Sequence, residues 1–278
     1  MKKQILSLTL CMISLVAVGQ GKQLTILHTN DTHSQIMPFK STLADTLKAG
    51  RAGFVRRIEM LRNEREKDPD LLLFDSGDFC QGSPYFTMYK GDVEVGLMNM
   101  MGYDAGTIGN HEFDFGLANM IRLFKRLNYP IVCANYDFTG TELAEIVKPY
   151  TIIKRKGIKI GVFGLSPELR GLVIEANYEP LKFMDPIACA QKCADELKAK
   201  GCDLVICISH LGVNIAGVSD EEMVAGTRGI DLVLGGHSHT FLKELLYVNN
   251  KDGKPVGIDQ NGKSGIYVGK MVLTLNRK

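Results

Sequence analysis

The sequence has almost no excess of charge of either sign. Its 278 residues carry 33 Lys and Arg against 31 Asp and Glu, a formal net charge of +2. A protein that binds nucleic acid through a broad basic surface needs a clear excess of positive charge. The balance therefore gives no support to nucleic acid as a partner. Hydrophobic residues make up 45% and charged residues 23%, which is the composition of a globular chain and excludes disorder throughout.

The sequence also lacks a long apolar run, apart from one at its N-terminus. Lys2 and Lys3 precede an apolar run over residues 5–18, and Ala17-Val18-Gly19 supplies small residues for cleavage. These three regions are typical of a secretory signal peptide, and the run is short for a membrane span. An uncleaved N-terminal anchor is the alternative. The pattern predicts a signal peptide over residues 1–19, no membrane span elsewhere, and export to the periplasm or the extracellular space of a bacterium.

A disulfide framework is the third feature that the sequence does not show. Of the seven cysteines, six lie beyond residue 19. Cys133, Cys202 and Cys207 lie in or beside apolar strand-like runs, and Cys189 and Cys193 are four residues apart on a predicted helix. Export permits disulfides, but a chain of this size does not need them. The spacings favour buried free thiols.

Strand and helix patterns alternate along the chain. Apolar runs predict strands at residues 24–28, 71–74, 105–108, 131–134, 151–154, 159–164, 204–208, 232–234 and 266–275. Amphipathic patterns predict helices at 54–67, 93–101, 117–127 and 185–200. Asp185 can cap the last helix and Gly201 can end it. The alternation indicates an α/β fold with antiparallel hairpins in its second half, and a single catalytic domain over residues 20–278.

Most histidines lie directly after predicted strands. There are six, of which five follow a strand and His28 lies at the end of one. The loops beyond the carboxyl ends of strands are where sites form in α/β sheets. The chemically competent side chains at these strand ends are Asp31, His33, Asp78, Asn110, His111, Asp114, His210, His237 and His239.

The segment 109–114 is the most specific of these clusters, because it packs an amide, an imidazole and two carboxylates into a few residues. A capped helix start, with Asn110 or Asp114 as the cap, is the alternative. Oxygen and nitrogen donors without thiolates favour Mn, Zn, Fe, Co or Mg. Seven ligands are too many for one ion, and two ions sharing Asp78 as a bridge account for the number. Two-metal sites typically serve phosphate-ester cleavage by a metal-activated water.

These motifs resemble those of the calcineurin-like metallophosphoesterase superfamily. The matching motifs are Asp31-x-His33, Gly77-Asp78, Gly109-Asn110-His111-Glu112, Ser209-His210 and Gly235-Gly236-His237-x-His239. More narrowly, residues 27–33 and 109–116 resemble the 5′-nucleotidase family. The resemblance covers about residues 24–275, and it implies a four-layer αββα sandwich of mixed sheets.

The resemblance also implies a role for each motif residue. Two divalent metal ions would be held, one by Asp31, His33 and His239, the other by Asn110, His210 and His237, with Asp78 bridging. Position 239 is glutamine in many bacterial relatives, and histidine is also a competent ligand. His111, oriented by Asp114, would stabilise charge on the phosphoryl group or the leaving oxygen, whereas His28 has no role of this kind. The implied reaction is hydrolysis of a small-molecule phosphate monoester by a metal-activated hydroxide, with nucleoside 5′-monophosphates or related nucleotides as the foremost substrates.

The family also has a C-terminal nucleotide-binding domain, which we expect to be absent here, and this expectation leaves three hypotheses. A separate polypeptide supplies that domain, and the pair acts as a nucleotidase. Alternatively, the chain acts alone as a general phosphomonoesterase or as a 2′,3′-cyclic nucleotide phosphodiesterase. The third hypothesis is a non-catalytic metal-binding subunit of a split nucleotidase complex, against which the His111 and Asp114 pair argues.

Overall fold

The computed structural model describes residues 22–275. The predicted signal peptide at residues 1–19 lies outside these residues. The strands are β1 (Lys22–Thr29), β2 (Leu72–Asp75), β3 (Ala105–Gly106), β4 (Tyr136–Asp137), β5 (Tyr150–Arg155), β6 (Ile158–Leu165), β7 (Lys182–Phe183), β8 (Leu204–Ser209), β9 (Leu232–Leu234), β10 (Leu246–Asn249), β11 (Pro255–Asp259) and β12 (Gly269–Leu275). The α-helices are α1 (Phe54–Lys67), α2 (Pro84–Tyr89), α3 (Asp92–Met101), α4 (Gly116–Phe124), α5 (Leu143–Ile146), α6 (Pro186–Ala199) and α7 (Asp220–Ala225).

Two mixed sheets form the centre of the fold. One has the strand order β12-β1-β2-β3, in which β1, β2 and β3 are parallel and β12 is antiparallel to β1. The other has the order β10-β11-β9-β8-β6-β5, with a parallel centre and an antiparallel strand at each edge. Strands β4 and β7 form a separate short ribbon.

Three apolar clusters arrange these sheets and helices in layers. Side chains of both sheets, such as Ile26 and Ile206, share one fully buried cluster, which places the sheets face to face. Leu61 of α1 and Met98 of α3 pack in a second cluster that covers the first sheet. Leu197 of α6 packs in a third that covers the second sheet. The four-layer αββα sandwich is therefore confirmed.

The helices at residues 54–67 and 186–199 match their predictions closely. Asp185 caps α6 by accepting hydrogen bonds from the amides of Ile187 and Ala188. The predicted helix at 117–127 ends at Phe124, because the amides of Arg126 and Leu127 bond three residues back, to Leu123 and Phe124, instead of four.

The predicted strand at residues 131–134 is wrong. Its amides bond in turn to three separate partners: Val132 to Gly106, Cys133 to Lys148 and Ala134 to Gly164. No single strand runs alongside this segment. It therefore forms isolated β-bridges, although its apolar sequence is typical of a strand that pairs continuously with a neighbour. Two other predicted strands are shorter than expected, since 105–108 pairs only over Ala105–Gly106 and 266–275 only over Gly269–Leu275.

Three short helices, α2, α5 and α7, lie where the sequence predicts none. Ser83 caps α2, accepting from the amides of Tyr85 and Phe86. Ser219 and Glu222 form a reciprocal capping box at the start of α7. Over residues 22–275, no helix is both long and apolar enough to cross a membrane. The six cysteines in this part of the chain are unpaired.

Candidate metal centre

The loops that follow five of the parallel strands bring the candidate ligands to one edge of the sandwich. Three loops come from the first sheet and two from the second. The ligands that they carry are Asp31 and His33 after β1, Asp78 after β2, Asn110 after β3, His210 after β8, and His237 and His239 after β9.

Asp31, His33 and His239 form one compact group. The Nε2 atoms of His33 and His239 are 2.8 Å apart, and Asp31 Oδ1 lies 3.3 Å from His239 Nε2. One ligand atom from each residue lies within 4.8 Å of the other two. This spacing allows the three side chains to share an ion, although they come from both sheets.

Asp78, His210 and His237 form a second group of the same dimensions. His210 Nε2 lies 3.1 Å from Asp78 Oδ2. The same Asp78 oxygen is 4.0 Å from His33 Nε2 in the first group. Asp78 therefore belongs to the second group and also borders the first, which is the position that a bridging carboxylate requires.

Three buried polar atoms of the candidate ligands lack a well-aligned hydrogen-bond partner. They are His33 Nδ1, Asn110 Oδ1 and His210 Nε2, the last despite its 3.1 Å distance from Asp78 Oδ2. Leaving a buried donor or acceptor unpaired costs about 1–3 kcal/mol. Imidazole, carboxylate and amide oxygen are donors that first-row divalent cations and Mg²⁺ accept. These residues fit the two ions that the resemblance implies.

The backbone around the ligands is held in a conformation that non-glycine residues rarely adopt. Values of φ are 48° at Asp31, 42° at His33, 58° at Asp78, 70° at His237 and 55° at His239. Each such residue carries a conformational cost, and such residues gather at functional sites. Five of the seven candidate ligands therefore have a strained backbone, which is typical of a functional site that lowers the stability of the fold.

Two glycines let the ligand loops pack against each other. A Cβ on Gly109 would lie 2.0 Å from Asp78 Oδ1. A Cβ on Gly236 would lie 2.8 Å from His210 Nδ1 and 3.1 Å from Asp31 Oδ2. Any side chain at these positions would displace a candidate ligand.

The charges of the second group depend on one another. Burial favours the neutral form of Asp78, but the imidazoles beside it, with His210 foremost, hold its pKa below the ordinary value. Burial also opposes the charged form of His210, yet Asp78 and Asp31 raise its pKa to about 10. Burial lowers the pKa of His237 to about 4. A cation that binds here would take the place of the proton on His210.

His111 and Asp114 are paired beside the metal ligands. His111 Nδ1 lies 3.1 Å from both carboxylate oxygens of Asp114, and the His111 amide donates to Asp78 Oδ1 at 2.9 Å. Burial is the largest single influence on the pKa of His111 and lowers it. The hydrogen bond to Asp114 and the negative charges of Asp78, Asp114 and Glu112 together outweigh burial, so the pKa is raised. Asn110 makes no side-chain capping bond and Asp114 ends the short 3₁₀ turn His111–Phe113, so the capped-helix alternative is not observed.

Glu112 is the residue that the sequence reading left without a role. Its buried carboxylate accepts hydrogen bonds from the amides of Gly109 at 2.6 Å, Asp78 at 3.0 Å and Cys80 at 3.2 Å. It thereby ties the loop after β2 to the loop after β3. The sequence signal that could have indicated this role is the position of Glu112 directly after His111 in the 109–112 motif.

His28 lies outside the ligand groups. It is fully buried, with Nε2 2.8 Å from Asp259 Oδ2 and 2.8 Å from Asn261 Nδ2. These contacts link β1 to the end of β11 and to the residue two positions beyond it, and they give His28 a supporting role.

Comparison with known proteins gives a consistent result. The family described as calcineurin-like phosphoesterase matches residues 24–241. The 5′-nucleotidase of Bos taurus is 32% identical over 92% of this chain and 47% of its own length. Among solved structures, a 5′-nucleotidase precursor from Thermus thermophilus superposes with a TM-score of 0.83 at 31% identity, covering 91% of this chain and 51% of that one.

A third structure matches this chain over most of the solved chain. The calcineurin-like phosphoesterase YfkN of Bacillus subtilis has a TM-score of 0.76 at 27% identity, and the match covers 93% of this chain and 86% of that chain. By contrast, this chain spans about half the length of the curated relatives that it matches.

Proposed function

The chain belongs to the calcineurin-like phosphoesterase family, and on that basis we propose that it hydrolyses phosphate monoesters with two divalent metal ions. Nucleoside 5′-monophosphates or related nucleotides are the proposed substrates. The observation that carries the proposal is the position of Asp78 in one ligand group and at the border of the other, each group within 4.8 Å, with the His111 and Asp114 pair beside them.

Each ligand group would hold one ion. Asp31, His33 and His239 would hold the first, and Asn110, His210 and His237 the second, with Asp78 between them. When bound, the ions would supply Lewis acidity, neutralising phosphate charge and lowering the pKa of a water. Their identity remains among Mn, Zn, Fe, Co and Mg, since ligand type alone does not separate these metals.

His111 would act on the substrate directly. Its Nδ1 is occupied by Asp114, which fixes the tautomer and leaves Nε2 available to the phosphoryl group. The raised pKa favours the charged imidazolium, which would stabilise negative charge on the phosphoryl or leaving oxygen. Asp114 would position the ring and need not touch the substrate.

The names of the relatives support nucleotides as the substrate class. The matched proteins from Bos taurus and Thermus thermophilus are both 5′-nucleotidases. Each is about twice as long as the matched region. We therefore propose that a separate polypeptide supplies the nucleotide-binding part, and that residues 20–278 form the catalytic domain.

One observation favours a second candidate function. YfkN is matched over 86% of the solved chain, so a structure of similar extent to this chain carries the same fold. This supports a chain that acts alone, as a general phosphomonoesterase or a 2′,3′-cyclic nucleotide phosphodiesterase. Export through residues 1–19 is part of either proposal and depends on the N-terminal sequence pattern.

The deciding experiment is a substrate panel on metal-free protein reconstituted with each candidate metal, run both with and without any copurifying polypeptide. The panel contains adenosine 5′-monophosphate, 2′,3′-cyclic AMP and an aryl phosphate. Turnover of the 5′-monophosphate above the aryl phosphate supports the nucleotidase, and turnover of the other two supports the second candidate. No phosphate release from any of the three under any metal would leave the non-catalytic metal-binding subunit as the surviving hypothesis.

A further inference from the structure

A cavity of about 390 Å³ opens beside the candidate metal centre. This volume falls within the range of small-molecule binding sites. The cavity is lined by three residues of the candidate metal centre, His33, His111 and His239. It is also lined by Lys48 and Lys263. The remaining lining residues are Gln35, Phe39, Gln81, Gly82 and Ser264, so the lining contains two lysines and no carboxylate.

The loop that carries Lys263 is fixed to the metal-ligand segments. The Ser264 amide donates to the carbonyl of Asp31 at 2.7 Å, and Asn30 Nδ2 donates to the carbonyl of Gly262 at 2.7 Å. The Gly262 amide bonds to the carbonyl of Thr240, next to His239, at 2.9 Å. Lys263 is therefore presented to the cavity by a backbone that is tied to both ligand loops of the first group.

The two lysines differ in how far their charge is compensated. Lys48 pairs with Asp45 at 2.9 Å, and both side chains are partly exposed. Over residues 22–275, no carboxylate lies within salt-bridge distance of Lys263. Lys263 thus brings an uncompensated positive charge to a cavity that already borders a phosphate-binding centre.

We propose that Lys263, assisted by Lys48, binds a second anionic group of the substrate. The preferred substrates are then phosphate esters that carry a further phosphate or carboxylate, and among nucleotides those with a second phosphate group. This inference rests on the proposed function only in placing the first phosphate at the metal centre. Lys263 is a specificity-determining residue on this account, because its charge adds affinity for the remote group without touching the reacting one.

Binding of non-hydrolysable ligands tests this directly. Calorimetry on Mn²⁺-loaded protein compares propylene-, butylene- and hexylene-bisphosphonate with the monophosphonate of the same chain length. A bisphosphonate has two equivalent ends, which alone gives a twofold advantage. We expect at least one spacing to bind roughly fivefold tighter beyond that factor in the wild type. Lys263→Met should lose this gain, and Lys48→Met should lose part of it.

Lys251→Met provides the matched control, since Lys251 is exposed in the turn between β10 and β11 and does not line the cavity. It should keep the wild-type preference. A wild-type ratio no greater than twofold at all three spacings would overturn the inference, as would an unchanged ratio in Lys263→Met. Hydrolysis of butyl phosphate and butanediol bisphosphate is measured separately. A protein that hydrolyses neither would refute the proposed function, whereas the inference about Lys263 would still be decided by the binding data.

Discussion

The backbone amide of Asp78 donates a hydrogen bond to the Glu112 carboxylate at 3.0 Å. The same carboxylate receives the amides of Gly109 and Cys80. Glu112 thus holds the backbone of Asp78, the proposed bridging ligand, although Glu112 belongs to neither ligand group. Such supporting contacts typically change metal affinity by 10- to 100-fold when removed.

Glu112→Gln should weaken metal binding. The amide side chain retains one acceptor oxygen and places an NH₂ against donors that need an acceptor, so the two loops lose their common anchor. We expect roughly a tenfold loss of Mn²⁺ affinity in a chelator competition assay, with circular dichroism unchanged. Glu66→Gln, at an exposed position of α1, is the control. Equal affinities in wild type and Glu112→Gln would show that the anchor does not matter.

Gly109→Ala should disable the centre through sterics alone. The new Cβ would lie 2.0 Å from Asp78 Oδ1, far inside van der Waals contact, and the carboxylate must move. We expect metal-dependent turnover to fall by at least about 100-fold, because misplacement of a reacting group by 1 Å has this effect.

Gly96→Ala is the matched control for that substitution. Gly96 lies inside α3 with no atom within 4 Å of its Cβ position, so alanine should stabilise the fold by about 0.5–1 kcal/mol. Full activity in Gly109→Ala would mean that Asp78 is not required where it lies.

Substitutions at His111 and Asp114 should separate catalysis from binding. His111→Ala removes the group proposed to face the phosphoryl oxygen, and we expect kcat to fall by roughly 10²-fold or more. Asp114→Asn keeps the ring but loses its orienting carboxylate, and kcat should fall about tenfold with KM nearly unchanged. Steady-state kinetics at saturating metal measure both. A rise in KM at constant kcat would instead assign the pair to substrate binding.

Much of this site could be inferred from the chain because its ligands are local motifs at strand ends. Asp31-x-His33 and His237-x-His239 each follow an apolar run, and the structure brings both to one edge. The supporting interactions could not be inferred in that way. Glu112 acts on amides more than thirty residues away, at Asp78 and Cys80, and no local pattern reports such a contact.

The errors in secondary structure have the same origin. Residues 131–134 have the apolar composition of a strand, but their hydrogen bonds go to three different neighbours. Helix α7 is short, and its capping box at Ser219 and Glu222 lies between loops, so periodicity alone could not detect it. Packing and partner choice decide these segments, whereas longer elements such as α1 follow their pattern.

Asp220 should make the stability of the metal-free protein depend on pH. It is fully buried, both carboxylate oxygens lack hydrogen-bond partners, and burial raises its pKa to about 7. Between about pH 4 and pH 7 the folded state binds more protons here than the unfolded state, so this residue's contribution to stability is lost as pH rises through that window. The loss is on the order of 4 kcal/mol.

Asp220→Asn removes this titration. Urea denaturation in EDTA measures the free energy of unfolding at pH 4 and at pH 8. Between these two pH values, Asp220→Asn should lose less unfolding free energy than the wild type does. Asp70→Asn, at an exposed position, should retain the wild-type profile. Identical pH profiles for wild type and Asp220→Asn would rule out Asp220 as the cause.

The central claim is that Asp78 joins two metal sites into one hydrolytic centre. The most direct measurement is phosphate release from adenosine 5′-monophosphate together with metal content, for the reconstituted wild type and for Asp78→Ala. The account expects two ions per chain and metal-dependent turnover in the wild type, and a folded Asp78→Ala variant that has lost activity and at least one ion. Retention of most activity or of both ions in Asp78→Ala would contradict it.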